Sequence, residues 1–378
     1  MNYAPLSSLA HVEVSDFLAR YWQRQHLFAR AALPHFRSPL DADTIAGFSL
    51  DEDVVSRLVI QDRQAQHWEL RHGPLDADVF SQLPEHDWTL LIQHADALHA
   101  ELRAILDAFR FIPNWRLDDI MVSYAAPGGG VGPHFDYYDV FLLQAQGRRR
   151  WRIGQHCDAE TELLPDQAMK LLKNFDSSAE YICQPGDLLY VPAGLAHWGE
   201  ALDDCITYSI GFRAPSHADI VLEFSQELAS HMREDMRYRD AGNSFQKDTP
   251  GEIGTAVIDQ LLAILRDKLD ARDSLADWFG RYSTQLSDTA TIFFPETEDA
   301  IPLNGSLSLS KSCRSAYFGN DANQVSLFVN GEKFHCSAAL AQALCCYRDF
   351  NTDNLPEADQ RCINALMDRG YLESGDTQ

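Results

Sequence analysis

The chain has 378 residues, 45% of them apolar and 11% aromatic, which is long and apolar enough for two or three packed domains and excludes a disordered chain. Its formal net charge of −25 argues against a nucleic-acid surface, because phosphate contacts need clustered Lys and Arg; it suits a basic partner, although high charge is also a common solubility device. No basic stretch followed by an apolar segment opens the chain, no apolar run is long enough to span a membrane, and the eight cysteines show no Cys-x-x-Cys spacing, so a cytoplasmic protein with reduced thiols is expected.

Residues 1–115 alternate helical and short extended patterns. Residues 15–22 read as a capped amphipathic helix, 88–92 as a strand, and 96–109 as a helix with apolar residues at helical spacing. From Met121 to Phe212 the pattern changes to strands separated by Gly and Pro turns, as in a double-stranded β-helix. The N-terminal elements are expected to buttress that barrel.

Within the strand-rich region lie two spaced segments, Gly128-Gly-Gly-Val-Gly-Pro-His134-Phe-Asp136 and Gly186-Asp-Leu-Leu-Tyr-Val-Pro192-Ala-Gly194-Leu-Ala-His197. In an extended strand, side chains two apart share a face, so His134 and Asp136 can hold one ion while Phe135 turns away. A lone His-x-Asp is far more often a packed, hydrogen-bonded pair. The second segment, with Leu188–Val191 as an apolar strand, brings His197 back on a neighbouring strand. Two imidazoles and one carboxylate on one face of an octahedral ion leave the opposite positions open, as in non-haem Fe(II) oxygenases. The glycine run resembles a phosphate loop but lacks the following helix and Lys-Ser/Thr pair. It is read instead as a mobile lip over the site.

Residues 140–144 and 148–153, joined by a short turn at 145–147, read as a hairpin. Alternation along the second strand puts Arg149 on the face of Trp151 and Ile153, with Arg148, Arg150 and Arg152 facing water. A guanidinium on an apolar face requires a partner, either a protein acid or a carboxylate presented bidentately.

The two metal-type segments, together with residues 118–124, 147–152 and 208–215, resemble the JmjC-type 2-oxoglutarate oxygenases, and among them the bacterial ribosomal oxygenases that hydroxylate an arginine of a ribosomal protein. The resemblance implies an α+β chain built on a JmjC/cupin jelly roll. It further implies Fe(II) held by His134, Asp136 and His197, 2-oxoglutarate as cosubstrate with Arg149 on its distal carboxylate, and O2 as oxidant. Ser123 and Thr207 would complete that anchor, with Tyr124 and Tyr208 as alternatives that alternation puts on the opposite face. Asp118, Asp119 and Asp139 lie near the expected centre, and Asp118 and Asp139 are the candidates for binding a substrate guanidinium; as turn caps or surface acids they would be purely structural. Competing activities are histidine hydroxylation, N-methyl demethylation, and a cupin metalloenzyme that does not use 2-oxoglutarate and so has no need of an inward Arg149.

Pro215 marks a boundary, giving a JmjC-type oxygenase domain over 1–215. In 216–283, residues 218–229 and 253–269 carry apolar residues at three- and four-residue intervals, with a polar loop near 240–244 between them. Such stripes pack on the barrel or on a second copy of themselves, and the resemblance favours a homodimer. Residues 284–378 show short strands at 326–329 and 332–334, joined at Asn330-Gly331, between helices at 338–347 and 357–369. This reads as a winged-helix-like domain in which Asp and Glu outnumber Lys and Arg, so a protein contact or structural role is expected rather than nucleic-acid binding.

Overall fold

The computed structural model of the protein describes residues 4–65, 67–240, 250–286, 306–310, 312–346, 349–353 and 355–374. The N-terminal region contains β1 (Ser8–Leu9), β2 (Val12–Glu13), α1 (Val14–Arg20), β3 (Leu27–Ala29), α2 (Ala42–Phe48), β4 (Ser56–Asp62), β5 (His67–His72), α3 (Asp78–Ser81), β6 (Trp88–Ile92), α4 (Ala95–Leu98) and α5 (Ala100–Leu106). The barrel strands come next: β7 (Leu117–Ala125), β8 (Val140–Gln146), β9 (Arg149–His156), β10 (Ala179–Cys183), β11 (Leu188–Val191), β12 (Leu195–Ala201) and β13 (Cys205–Phe212).

The large sheet has the order β3-β11-β8-β13-β7-β6-β4-β5 and the small one β10-β9-β12, all of it antiparallel. One face of the large sheet packs on the N-terminal helices. Ile120, Val122, Phe141, Leu143, Tyr208 and Ile210 share a core there with Phe17, Ile45, Leu102 and Ile105. The other face meets the small sheet through Val140, Leu142, Trp151, Ile153 and Leu189. Burial on both faces explains why β11 is apolar at every position, whereas the middle of β7 alternates: Ile120 and Val122 enter the core, and Met121 and Ser123 point the other way into a cleft.

Three expectations change. The helix at 96–109 is broken at His99, whose backbone is extended, yet Ala95, Leu102 and Ile105 still reach one core, so the apolar spacing survives the break. The helix expected at 15–22 begins at Val14 and has no side-chain cap. The hairpin expected between β8 and β9 does not form. β8 lies between β11 and β13 while β9 lies between β10 and β12, so Gly147-Arg148 is a corner from one sheet to the other. That corner is tied by Leu202 N–H to the Arg148 carbonyl (3.0 Å) and by the Arg148–Asp203 ion pair (2.8 Å). A link short enough for a hairpin serves a corner equally well when each flanking strand has another partner.

Beyond Pro215, α6 (His217–Ser230) opens with a reciprocal Ser216–Asp219 capping box, followed by α7 (Thr255–Leu269) and α8 (Arg272–Thr284). Most of the polar loop expected at 240–244 lies outside the described residues, as does Tyr347. The C-terminal module contains β14 (Ser306–Leu309), β15 (Ser315–Phe318), β16 (Val325–Val329), β17 (Glu332–Cys336), α9 (Ala338–Cys345), β18 (Phe350–Asn351), α10 (Glu357–Met367) and β19 (Leu372–Ser374). Asn330 and Gly331, at φ 49° and 83°, form the tight turn between β16 and β17. Helix α8 packs on β15, β16 and β17. None of the eight cysteines is in a disulfide, and among the described residues no helix is long and apolar enough to cross a membrane.

Candidate active site

His134, Asp136 and His197 converge. Each offers one ligand atom, and the three atoms lie within 4.8 Å of one another. Asp136 Oδ2 stands 3.9 Å from His134 Nε2 and 3.7 Å from His197 Nε2. His197 lies on β12, but His134 and Asp136 belong to no regular strand: their segment is tied to β12 by the reciprocal His134–His197 bridge and by Gly194 N–H to the Asp136 carbonyl (2.7 Å). That ladder supplies the two-residue periodicity expected of a strand. Each imidazole Nδ1 lies beside a carbonyl, Gly132 at 3.0 Å and Leu195 at 3.1 Å. An Nδ1–H donating there leaves both Nε2 lone pairs free toward Asp136. Burial, reinforced by the neighbouring His134, pushes His197 down to about 4, which keeps it neutral and able to ligate. The donor set is two imidazoles and one carboxylate with an open side, suited to a ferrous ion.

Beside the triad a cleft of about 920 Å³ runs between the sheets, room enough for a small diacid and a substrate side chain. Arg149 stands at its inner end and is 3% exposed. Alternation along β9 is as expected: Arg149, Trp151 and Ile153 are buried, while Arg150 and Arg152 pair outward with Glu180 and Glu200. The Arg149 guanidinium lies 5.0 Å from the Trp151 ring centroid and donates from Nη1 to Ser123 Oγ at 3.4 Å. Its Nε has no hydrogen-bond partner, and it forms no ion pair among the described residues. A buried guanidinium lacking a carboxylate is costly unless a ligand brings one, so the chain fits a cosubstrate with a distal carboxylate. Ser123 and Thr207 face each other across β7 and β13, and Thr207 Oγ1 donates to Gln144 Oε1 at 3.1 Å. Tyr208 lies on the opposite face, in the core, bonded to Ser38.

The JmjC domain family matches residues 104–220, and the ROXA-like winged helix matches 263–373. The ribosomal protein uL16 3-hydroxylase of Escherichia coli is 32% identical over 338 residues, 84% of each chain. A probable ribosomal oxygenase of Haemophilus influenzae is 33% identical over 342 residues, 85% of this chain and 82% of its own. The chain belongs to the JmjC ribosomal oxygenases. The solved structure of the E. coli ribosomal oxygenase YcfD superposes with a TM-score of 0.82 at 28% identity over the full length of both chains. Its complex with cobalt and 2-oxoglutarate gives 0.80 at 28% identity, covering 96% of this chain and 98% of that one. The protein is thus a 2-oxoglutarate-dependent oxygenase, and its cofactors are those of the class: Fe(II), 2-oxoglutarate and O2. The matched winged helix starts inside α7, earlier than the 284 boundary read from the sequence.

The outer wall of the oxygenase's cleft departs from expectation at several points. Asp139 is fully buried and does not line the cleft. One of its oxygens accepts from Tyr190 (2.6 Å) and the other from Gln23 and Arg116 (3.0 Å each). That corrects its assignment to substrate: its place is to tie β8 to the N-terminal layer. Asp118 does line the cleft, but Arg213 and Arg314 hold its Oδ1. Burial opposes its ionisation, and those two guanidiniums outweigh it, keeping the carboxyl below the usual range. Asp119, raised to about 6 chiefly by burial, accepts from Gln93 and the His94 N–H. The glycine run packs closely against β12: Gly129 accepts from Ala201 N–H at 3.0 Å, and a Cβ on Gly130 would stand 2.2 Å from the Gly199 carbonyl. Arg57, Gln93 and Tyr138 also line the cleft. Sequence reasoning missed them because two of them come from a distant segment, Arg57 on β4 and Gln93 just after β6.

Proposed function

We propose that this oxygenase hydroxylates an arginine side chain of a large-subunit ribosomal protein, with uL16 the first to test because a relative covering 84% of the chain is a uL16 3-hydroxylase. In this reading His134, Asp136 and His197 hold Fe(II), Arg149 and Ser123 fix the distal carboxylate of 2-oxoglutarate, and Thr207 completes the pocket with Gln144 orienting its hydroxyl. Bound Fe(II), with O2 and 2-oxoglutarate, supplies the oxidant: one oxygen atom enters a substrate C–H bond, the other enters succinate, and CO2 leaves. The chain's own part is positioning. The carbonyls of Gly132 and Leu195 set the imidazole tautomers, the packed β9–β12 wall keeps water from the cosubstrate end, and Asp118 receives the substrate guanidinium at the cleft wall. The observation that carries the reading is the buried Arg149, with no carboxylate partner among the described residues, next to the ligand triad.

Two further points support a basic ribosomal protein as substrate and a homodimer as the working form. The net charge of −25 steers a cationic partner toward the enzyme. Helix α7 buries none of its residues although Ile258, Leu261, Leu262, Leu265 and Leu269 form one apolar stripe, and Val221 and Leu222 on α6 are also exposed. A stripe of this kind calls for a partner surface, and a second copy supplies one. A substrate of this class also places the enzyme in the cytoplasm. The test is to incubate the enzyme with Fe(II), 2-oxoglutarate and recombinant uL16 and locate added mass by mass spectrometry. One oxygen on an arginine is expected. Oxygen on a histidine, or released formaldehyde, would reassign the activity, and an unmodified set of ribosomal proteins would overturn the reading.

A further inference from the structure

The C-terminal module grips the segment that leads into the cleft strand β7. Asn114 Nδ2 donates to the Cys345 carbonyl at 2.6 Å, and Trp115 meets Phe279 of α8 edge-on at 5.4 Å. Arg314, which precedes β15, donates to the backbone carbonyls of Asp118 (2.5 Å) and Leu117 (3.4 Å). The same guanidinium reaches Asp118 Oδ1 through both Nη atoms at 3.3 Å. Arg213, at the end of the barrel, donates from Nε to that same oxygen (3.1 Å) and from its other nitrogens to the carbonyls of Ser283 (3.0 Å) and Gln285 (2.8 Å) at the end of α8. Asp118 Oδ2 accepts no hydrogen bond among the described residues, and the side chain remains 38% exposed on the cleft.

We infer that Arg314 is a positioning residue for substrate: with Arg213 it pins Oδ1 and the backbone of Asp118, so that Oδ2 is presented to the cleft, and the winged-helix module thereby forms part of the substrate-binding apparatus. The inference rests on the reading of Asp118 as the acceptor of a substrate guanidinium. A carboxylate held through one oxygen keeps its other lone pairs in a fixed direction, which lowers the ordering cost of a charge-assisted contact.

The experiment measures kcat and KM for recombinant uL16 with the full-length protein and its Arg314→Ala, Arg314→Lys, Asp118→Asn and Arg314→Ala/Asp118→Asn variants. Arg314→Ala is expected to raise KM about tenfold with most of the loss in KM rather than kcat. Arg314→Lys should recover part of it. In the Asp118→Asn background, Arg314→Ala should add less than about twofold, since residues acting through one contact are not additive. An unchanged KM for Arg314→Ala, or the same tenfold loss with Asp118 already replaced, would overturn the inference while leaving the substrate reading intact. Wild-type protein that leaves uL16 unmodified removes the substrate reading and this inference with it.

Discussion

Arg149 is the residue on which the chemistry and the stability of the fold pull in opposite directions. Its guanidinium is buried, and burial disfavours its charge, yet it pairs with no carboxylate among the described residues. Arg149→Ala should therefore raise KM for 2-oxoglutarate about 30-fold, the equivalent of one lost charge-assisted contact of about 2 kcal/mol. Arg149→Met, which fills similar volume without the charge, should melt at a higher temperature than wild type when no cosubstrate is present. A Met variant that is less stable than wild type would mean the charge is compensated after all. His197 makes a pH prediction. Its folded value, about 4, lies below the ordinary 6.5, so the unfolded chain binds the proton first. The stability this group contributes is present above pH 6.5 and is lost as pH falls toward 4, about 3 kcal/mol across the window in metal-free protein. Thermal melts of chelated protein through that range should show a steeper loss for wild type than for His197→Asn; parallel curves would refute it.

At the scale of elements, the site depends on how β12 lies against β9. A Cβ on Gly199 would stand 2.6 Å from the Trp151 ring and 2.7 Å from Arg149 Nε. Gly199→Ala must push that pair aside, and is expected to cost about 1–3 kcal/mol of stability together with a rise in KM for 2-oxoglutarate; a variant with normal melting and normal KM would show that the packing is looser than described. These relations also show what the sequence could reveal. The ligand spacing and the alternation of Arg149, Trp151 and Ile153 were legible because they depend on local backbone periodicity. So were β6 and β11, whose bounds match the expected strands, and the β16–β17 turn at Asn330-Gly331. Which strand pairs with which was not: β8 and β9 look like a hairpin because a short corner and a short hairpin turn share one composition. Asp139 and Asp118 were indistinguishable as acids near a metal motif. The difference between them is made by Tyr190 and Gln23 on one side, and by Arg314 on the other, all distant in sequence.

For the whole molecule, the exposed stripe on α7 predicts association. Leu261→Asp with Leu265→Asp should convert a dimer to a monomer in light scattering without unfolding the barrel, because neither side chain is buried within the chain. A monomeric wild type would contradict the assignment. The charge of −25 predicts that kcat/KM for uL16 falls with added salt more steeply than turnover of 2-oxoglutarate alone. All of these expectations depend on the ligand triad and Arg149 serving one cleft. The direct measurement is a crystal structure of the protein grown anaerobically with Mn(II), in place of Fe(II), and 2-oxoglutarate. The account predicts the ion bound by Nε2 of His134, Nε2 of His197 and a carboxylate oxygen of Asp136, with the distal carboxylate of the cosubstrate on Arg149 and Ser123. An ion held by other residues, or a cosubstrate whose distal carboxylate lies away from Arg149, would contradict it.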